Sequence, residues 1–280
     1  MERNRICKYC GKSFWTRRPE QLYCSRSCAN SVSGQSRGQK IAAKPTVSVW
    51  ACGAGVDSTA IALLICLGRL PKPDYAIMAD CGHEEARTWQ HVREVLQPKL
   101  AAVGVNLQII PSAEWTGSTD PLDGDFVRIP AYFRKPDGSV GKMGTRCNTE
   151  WKVNVARRWL RSQGVERCEN WVGMDAGEDR RAVPSGRSWV TNRFPLRELD
   201  ITRENAMWLI GHHGWPQPFK TSCYFCPQQS NAQWCRLRRD QPAEWEKAVA
   251  LDERLRTVRP DVYLHRSCIP LACTASTGGG

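Results

Sequence analysis

Apolar and polar positions divide the chain into two unlike parts. From Thr46 onward, β-prone runs alternate with helical stretches. Thr46–Cys52 reads as a strand and Thr59–Gly68 as a compact apolar helix; Tyr75–Ala79 reads as a second strand with a helix behind it to about Ala102, and Asn106–Ile110 as a third. Strands separated by helices predict an α/β fold with a doubly wound, mostly parallel sheet that binds ligands at the strand C-termini. Ser112–Thr145 has no clear period and is rich in Gly, Pro, Asp and aromatics, which predicts a long lid or binding loop. A helix then opens near Arg146 and runs to about Arg161, and Ile201–Gly211 predicts another. Trp208, Trp234 and Trp245 stand at helical positions and are expected in the core. Before Thr46 the pattern fails. Residues 31–44 are polar and Gly/Ser-rich, which predicts a linker over 33–45 between a small unit at 1–32 and a main domain at 46–275.

The small unit carries its own chemistry. Cys7 and Cys10, then Cys24 and Cys28, form two short-spaced pairs thirteen residues apart. Such pairs, brought together by a hairpin, supply the four soft ligands of a structural Zn²⁺. Gly11 suits the tight turn after the first pair, and Ser25–Ala29 reads as the start of a helix. With almost no core, the unit would draw its folding energy from the metal. It resembles treble-clef zinc fingers.

Charge separates the same two parts. The net charge is +12, and residues 1–44 contribute +8 of it through ten Lys/Arg against two acids. A basic arm on a near-neutral body points to a polyanion held by the arm and separate chemistry in the body. Arg17, Arg18 and Arg26 are the candidate contacts, with Phe14, Trp15 or Tyr23 for stacking; a plain folding or docking module is the alternative. The longest apolar stretch, Ala60–Leu67, is far shorter than the roughly 20 residues that span a bilayer. The N-terminus opens with charges and cysteines, so a cytoplasmic protein without a membrane partner is expected. In that setting fourteen cysteines argue for metal ligation or catalysis over disulfides.

In the main domain, the first strand runs into Gly53-Ala54-Gly55-Val56-Asp57-Ser58 and then the apolar helix. Glycines let the backbone approach anionic oxygens, and the helix N-terminus favours negative charge. No Gly-Lys-Ser/Thr follows, so this is not a Walker loop. The segment resembles the pyrophosphatase loop (PP-loop) of ATP pyrophosphatases and phosphoadenylyl-sulfate reductases, S-G-G-x-D-S, with Cys52 for the leading Ser and Ala54 for the middle Gly. The resemblance implies an adenine-nucleotide alpha-hydrolase-like (HUP/PP-loop) fold. It places ATP on Gly53, Gly55, Val56, Asp57 and Ser58, with Mg²⁺ on acids such as Asp57, Asp80 and Glu84. Asp80-Cys81-Gly82-His83-Glu84 ends the second strand, where the family has a similar acidic segment facing the nucleotide. Gly173 to Arg181 matches the family's glycine, acid, arginine element, which implies that Glu178 and Arg181 contact phosphate or sulfate.

Three further cysteines extend the resemblance. Cys147 has Lys152 five residues on, and Cys223-Tyr-Phe-Cys226-Pro is a C-x-x-C. Iron–sulfur members of the family hold a [4Fe–4S] cluster on four cysteines in such segments; here Asn148 stands where the second would be. Cys147, Cys223 and Cys226 are thus candidate ligands of a three-cysteine cluster with one open iron, as in the family's tRNA thiolases. Cys81, Cys235, Cys268 or His265 would otherwise close a four-ligand site. Zinc and plain redox or structural thiols remain alternatives. Cys66, in an apolar helix, is expected to be buried packing.

The resemblance spans about residues 46–230 and implies an enzyme: an ATP-dependent, adenylating sulfurtransferase that modifies tRNA or DNA. Asp57 and Arg181 would stabilise charge at the α-phosphate, and a persulfide or cluster-bound sulfide at Cys147, Cys223 and Cys226 would displace AMP. A sulfur-donor or electron-donor protein is the expected partner. The alternatives are an adenylyl-sulfate or phosphoadenylyl-sulfate reductase, and a non-catalytic nucleic-acid-binding protein with a degenerate nucleotide pocket.

Overall fold

A computed structural model describes residues 3–8, 10–18, 20–26, 28–29, 46–178 and 182–276. Arg181 and the expected linker at 33–45 lie outside the described residues.

Strands β1 (Arg3–Ile6) and β2 (Ser13–Thr16) pair as an antiparallel hairpin. Gly11 turns it at φ +72°, where a side chain would be strained. Ser25 Oγ accepts the Cys28 N–H at 3.2 Å and the Ser25 carbonyl accepts the Ala29 N–H, so a helical turn begins where the cysteine spacing places it.

The main sheet has five strands. β3 (Val47–Ala51) leads through helix α1 (Val56–Cys66) to β4 (Tyr75–Asp80). Helices α2 (Ala86–His91) and α3 (Gln97–Ala102), joined by a π-helical turn at Val92–Leu96, then lead to β5 (Leu107–Pro111). After α4 (Ser112–Thr116), residues 117–145 are not one irregular lid. They form two small hairpins, β6 (Leu122–Asp123) with β7 (Phe126–Val127), and β8 (Tyr132–Arg134) with β9 (Val140–Lys142). Strands of two or three residues are too short to show an alternating pattern in sequence.

A second π-helical turn, Asn148–Val153, opens α5 (Asn154–Ser162), which crosses back to β10 (Cys168–Val172) and β11 (Val190–Arg193). The strand order is β11-β10-β3-β4-β5 and every pairing is parallel. The chain winds outward from β3 in one direction and from β10 in the other. The loop after β3 therefore sits at the topological switch point, where open α/β sheets bind ligands. Helices α6 (Pro195–Glu198), α7 (Arg203–His212), α8 (Asn231–Asp240) and α9 (Pro242–Val258) follow, and β12 (Val262–Tyr263) adds to β8.

Val49 and Trp50 of β3 and nearly all of α1 are buried, so the strand and helix that flank the switch-point loop are fixed on all sides. A second core gathers Trp151, Phe225, Trp234 and Leu255 around Cys81, with Cys147 and Cys223 packed against it. Trp234 is buried as expected and Trp245 packs edge-on to it; Trp208 instead stands 63% exposed, stacked on His212. No helix among the described residues is long and apolar enough to cross a membrane.

Candidate functional site

The loop after β3 is held by its own atoms. Ser58 Oγ accepts the Gly53 N–H at 2.8 Å, and Gly55 O accepts the Thr59 N–H at 2.8 Å. Cys52 Sγ accepts the Ala54 N–H at 3.4 Å; burial pushes this thiol up to about 12, so it stays protonated. Ala54 is buried at φ +54°, a left-handed conformation that costs a non-glycine residue roughly 1–2 kcal/mol. The loop thus keeps the backbone shape of a glycine sequence at some cost.

Beside the loop is a hollow of about 560 Å³ lined by Gly53, Gly55, Val56, Asp57, Ser58, Gly173, Asp175, Glu178, Arg203, Lys220 and Thr221. Gly173 packs closely against the loop: a Cβ there would meet Asp57 Cβ and Ser58 N at 3.4 Å, just in contact. Oxygens of Asp57, Asp175 and Glu178 lie within 4.8 Å of one another, and Arg203 Nη1 is 3.4 Å from Asp57 Oδ1. Three carboxylates beside an anion-binding loop suit Mg²⁺, which takes oxygen ligands and bridges to phosphates. Asp80 lies elsewhere; its Oδ1 accepts the Gly82 N–H at 2.7 Å and closes the turn after β4.

A second cavity of about 250 Å³ adjoins the loop through Cys52 and Gly53. Apolar Ala51, Ile77, Val153 and Ala156 line it, with Asn148, Lys152, Asn170 and Glu84 as polar groups. This mix of flat apolar walls and few polar groups suits a nucleobase.

Glu84 links that cavity to the thiols. Its carboxylate pairs with Lys152, and burial, which works against the ammonium, is outweighed by the charges of Glu84, Cys223 and Cys81, which raise Lys152. The other oxygen of Glu84 is buried without a hydrogen-bond partner among the described residues, and a carboxylate oxygen of Glu84 lies within 4.8 Å of the Cys81 and Cys223 sulfurs. Cys81 and Cys223 sulfurs are 3.7 Å apart. The Cys223 thiol donates to Cys81, which lowers Cys81, aided against burial by Lys152, and raises Cys223. Burial raises Cys147, with the Cys226 and Cys81 charges adding to it, and burial also raises Cys226. Cys81, Cys223 and Glu84 are brought within metal-ligand distance of one another, a set that suits a thiophilic metal, whereas Cys147 and Cys226 are near neighbours outside that group. Of the other candidate fourth ligands, Cys235 is exposed, Cys268 is buried under Arg134, and His265 is engaged by Ser267 and Asn231.

One segment ties both halves together. Thr221 Oγ1 lies 3.3 Å from where a Gly55 Cβ would be, and two residues later Cys223 meets Cys81. Backbone bonds from Glu85 N–H to Ser222 O and from Tyr224 N–H to His83 O zip this segment to the end of β4. Two residues of chain reach no more than about 7 Å, so loop and thiols are neighbours. His83 itself packs among Trp151, Tyr224 and Phe225 and bonds the Thr119 carbonyl.

In the hairpin unit, the sulfurs of Cys7, Cys10, Cys24 and Cys28 lie within 4.8 Å of one another, with Cys10–Cys24 at 3.6 Å and Cys24–Cys28 at 3.5 Å. A tetrahedron of 2.3 Å Zn–S bonds has edges near 3.8 Å, so the set fits zinc. Hydrogen bonds that the Cys24 thiol donates to the Cys28 and Cys10 sulfurs push Cys24 up to about 12, so four thiolates cannot coexist there unless a cation offsets them. Trp15 on the same hairpin is 67% exposed.

Sequence reasoning missed Asp175, Arg203, Lys220 and Thr221, and left Cys81 as one of several options. Their signal was position: Asp175 two residues past Gly173, and Lys220-Thr221 just before the C-x-x-C.

Comparison with solved structures finds phosphoadenylyl-sulfate reductase from Candida auris in a phosphate complex, at 15% identity and TM-score 0.42, over 69% of this chain and 89% of that one. It also finds the U34-tRNA thiolase NcsA from Methanococcus maripaludis with its [4Fe-4S] cluster, at 14% identity and TM-score 0.41, over 89% of this chain and 86% of that one. No protein-family model and no curated protein sequence matches the chain.

Proposed function

We propose that the chain is an ATP-dependent, adenylating sulfurtransferase whose substrate is a nucleic acid. The observation that carries this reading is the shared segment Lys220–Cys226, which touches the anion loop through Thr221 and the thiol group through Cys223. ATP would place its base in the cavity between Ile77, Val153 and Ala156 and its phosphates on the loop N–H groups, with Lys220 and Arg203 facing them. Asp57, Asp175 and Glu178 would hold Mg²⁺, which offsets phosphate charge.

A substrate oxygen attacks the α-phosphorus, the bond to the β-phosphate oxygen breaks, and pyrophosphate leaves. Catalysis here is positioning and charge stabilisation by groups already in place. Sulfur at the sulfide level, supplied by a donor partner, then attacks the substrate atom that carries the adenylated oxygen; that bond to oxygen breaks and AMP leaves, and neither step changes an oxidation state. Three of Cys81, Cys147, Cys223 and Cys226 would hold an iron–sulfur cluster, which with one iron left open would supply a Lewis-acidic, sulfur-binding site. Lys152 and Glu84 fix the charge between base cavity and thiols. The zinc-bearing hairpin, with Arg17, Arg18, Arg26 and the exposed Trp15, would bind the polymer.

The test is product analysis of ATP labelled at the α-phosphate, incubated with tRNA or DNA. AMP and pyrophosphate formation that depends on the polymer is expected. Sulfite release from adenylylated sulfate without any polymer would instead indicate a reductase, and salt-sensitive polymer binding without nucleotide turnover a binding protein.

A further inference from the structure

One feature of the body is untouched by this chemistry. Helix α5 carries Asn154, Arg157, Arg158 and Arg161 at a spacing of three, four and seven, which puts them on one face. Arg187 and Trp189, from the approach to β11, complete a hollow of about 440 Å³ lined by these six residues. No carboxylate among the described residues pairs with any of the four guanidinium groups. Arg158 and Arg161 are anchored through backbone carbonyls, Arg158 to Trp115 O and Arg161 to Val165 O and Glu166 O, and the Arg161 guanidinium lies 4.0 Å over the Trp189 ring. The side chains of Arg157 and Arg187 make no hydrogen bond among the described residues. They are close enough that, after burial, the Arg187 charge is the main influence lowering Arg157.

Like charges three and four apart on one helix repel, and an anion seated among them would relieve that repulsion. The body outside the first 44 residues has a net charge of only +4, so four unneutralised arginines around one concavity are a local concentration and not a general basicity. Arg157 also lines the cavity assigned to the nucleobase, so the two spaces meet at its side chain.

We propose that this hollow seats the phosphate backbone of the substrate nucleic acid and leads the strand to the nucleotide cavity at Arg157. Arginine forks match phosphate oxygens, and Trp189, held by Arg161, offers a ring edge for a base beside the backbone. The hairpin unit and this hollow are then two separate contacts on one polymer. The proposal rests on the nucleic-acid reading above and adds the surface that would orient the strand.

The experiment is fluorescence-anisotropy titration of a labelled 20-nucleotide RNA and the same DNA against the full chain, across a salt series. The variants are Arg157→Gln/Arg187→Gln, Arg157→Lys/Arg187→Lys, and Arg69→Gln/Lys72→Gln, which removes equal charge from an exposed turn. For single strands each lost phosphate contact flattens the salt dependence by about 0.7. The glutamine pair is therefore expected to flatten the log–log slope by about 1.4 and weaken binding roughly tenfold at moderate salt. The lysine pair should keep the slope, and the Arg69/Lys72 pair should leave it unchanged. Because neither target side chain makes a hydrogen bond among the described residues and their charges repel, the glutamine pair should melt no lower than the parent. An unchanged slope in the glutamine pair overturns the proposal, and so does an equal loss in the Arg69/Lys72 pair. Nucleic-acid binding at full strength with loss of an acidic protein partner would assign the hollow to that partner and overturn it too. Binding that behaves as expected while ATP yields no pyrophosphate would retain the hollow and sink the enzymatic reading; no polymer binding at all removes both.

Discussion

At the scale of single residues, the loop after β3 shows what its two unusual members do. Ser58 accepts the N–H of the exposed Gly53, so Ser58→Ala removes one loop hydrogen bond and should lower stability by about 0.5–1.5 kcal/mol. A urea midpoint read alongside ATP affinity checks this; no shift in either would mean the bond is incidental. Ala54 tolerates φ +54° because its side chain is one methyl. A β-branched residue cannot, so Ala54→Val should both destabilise the fold and weaken nucleotide binding at least tenfold, measured by calorimetric titration. Residue identity in this loop was legible in sequence because strand, glycines and helix start are contiguous. Asp175 and Cys81 were less so, since their roles depend on which strands become neighbours: Asp175 reaches Asp57 only because β10 pairs with β3.

At the scale of elements, two buried carboxylates hold the thiol region in shape. Glu85 accepts from Ser222 Oγ at 3.0 Å, from Gln241 Nε2 at 2.9 Å and from Arg236 at 3.1 Å, and so clamps the Cys223 segment to the start of α2 and to α8. Groups that orient metal ligands typically contribute 10–100-fold to metal affinity, so Glu85→Gln should release bound metal to a chelator at least tenfold faster. Asp252 in α9 accepts the Leu264 and Leu271 N–H groups at 2.8 and 2.9 Å, and Arg256 at 3.3 Å. Asp252→Ala orphans both donors and should cost roughly 2–6 kcal/mol in denaturant unfolding. The long elements were legible from their periods: the helix ending at Ala102 and the strands beginning at Val47 and Tyr75 fall where the pattern put them. The hairpins within 117–145 were not, because a three-residue strand such as Tyr132–Arg134 has no period, and its partner Val262–Tyr263 lies 130 residues on. Trp208 misled for a related reason. Helical spacing fixes a face but not what covers it, and this face of α7 meets His212 and solvent.

At the scale of the whole molecule, burial sets the pH response. His91, bonded to Thr59 beneath the loop, and His265 are both held below the ordinary histidine range, chiefly by burial. The folded state therefore binds fewer protons than the unfolded one, whose histidines titrate near 6.5. Stability from this source is complete above about pH 6.5 and falls as pH drops below it, by up to about 1.4 kcal/mol per unit for each group. Urea midpoints at pH 7.5, 6.5 and 5.5 should show a plateau and then a decline; a flat profile would show that these rings are not buried neutral. The sheet order was legible only as a class. That β3 would be central, with the anion loop at the switch point and the C-x-x-C segment zipped against β4, follows from long-range pairing.

The proposed chemistry requires that the thiols beside the loop after β3 hold a metal centre distinct from any zinc on the hairpin. Counting iron, zinc and acid-labile sulfide per chain on anaerobically purified protein tests this most directly. One zinc with four irons and four sulfides is the predicted result, and Cys81→Ser should diminish the iron while leaving the zinc. Two zincs without sulfide, or no metal at the second group, would contradict it and leave those cysteines a structural knot.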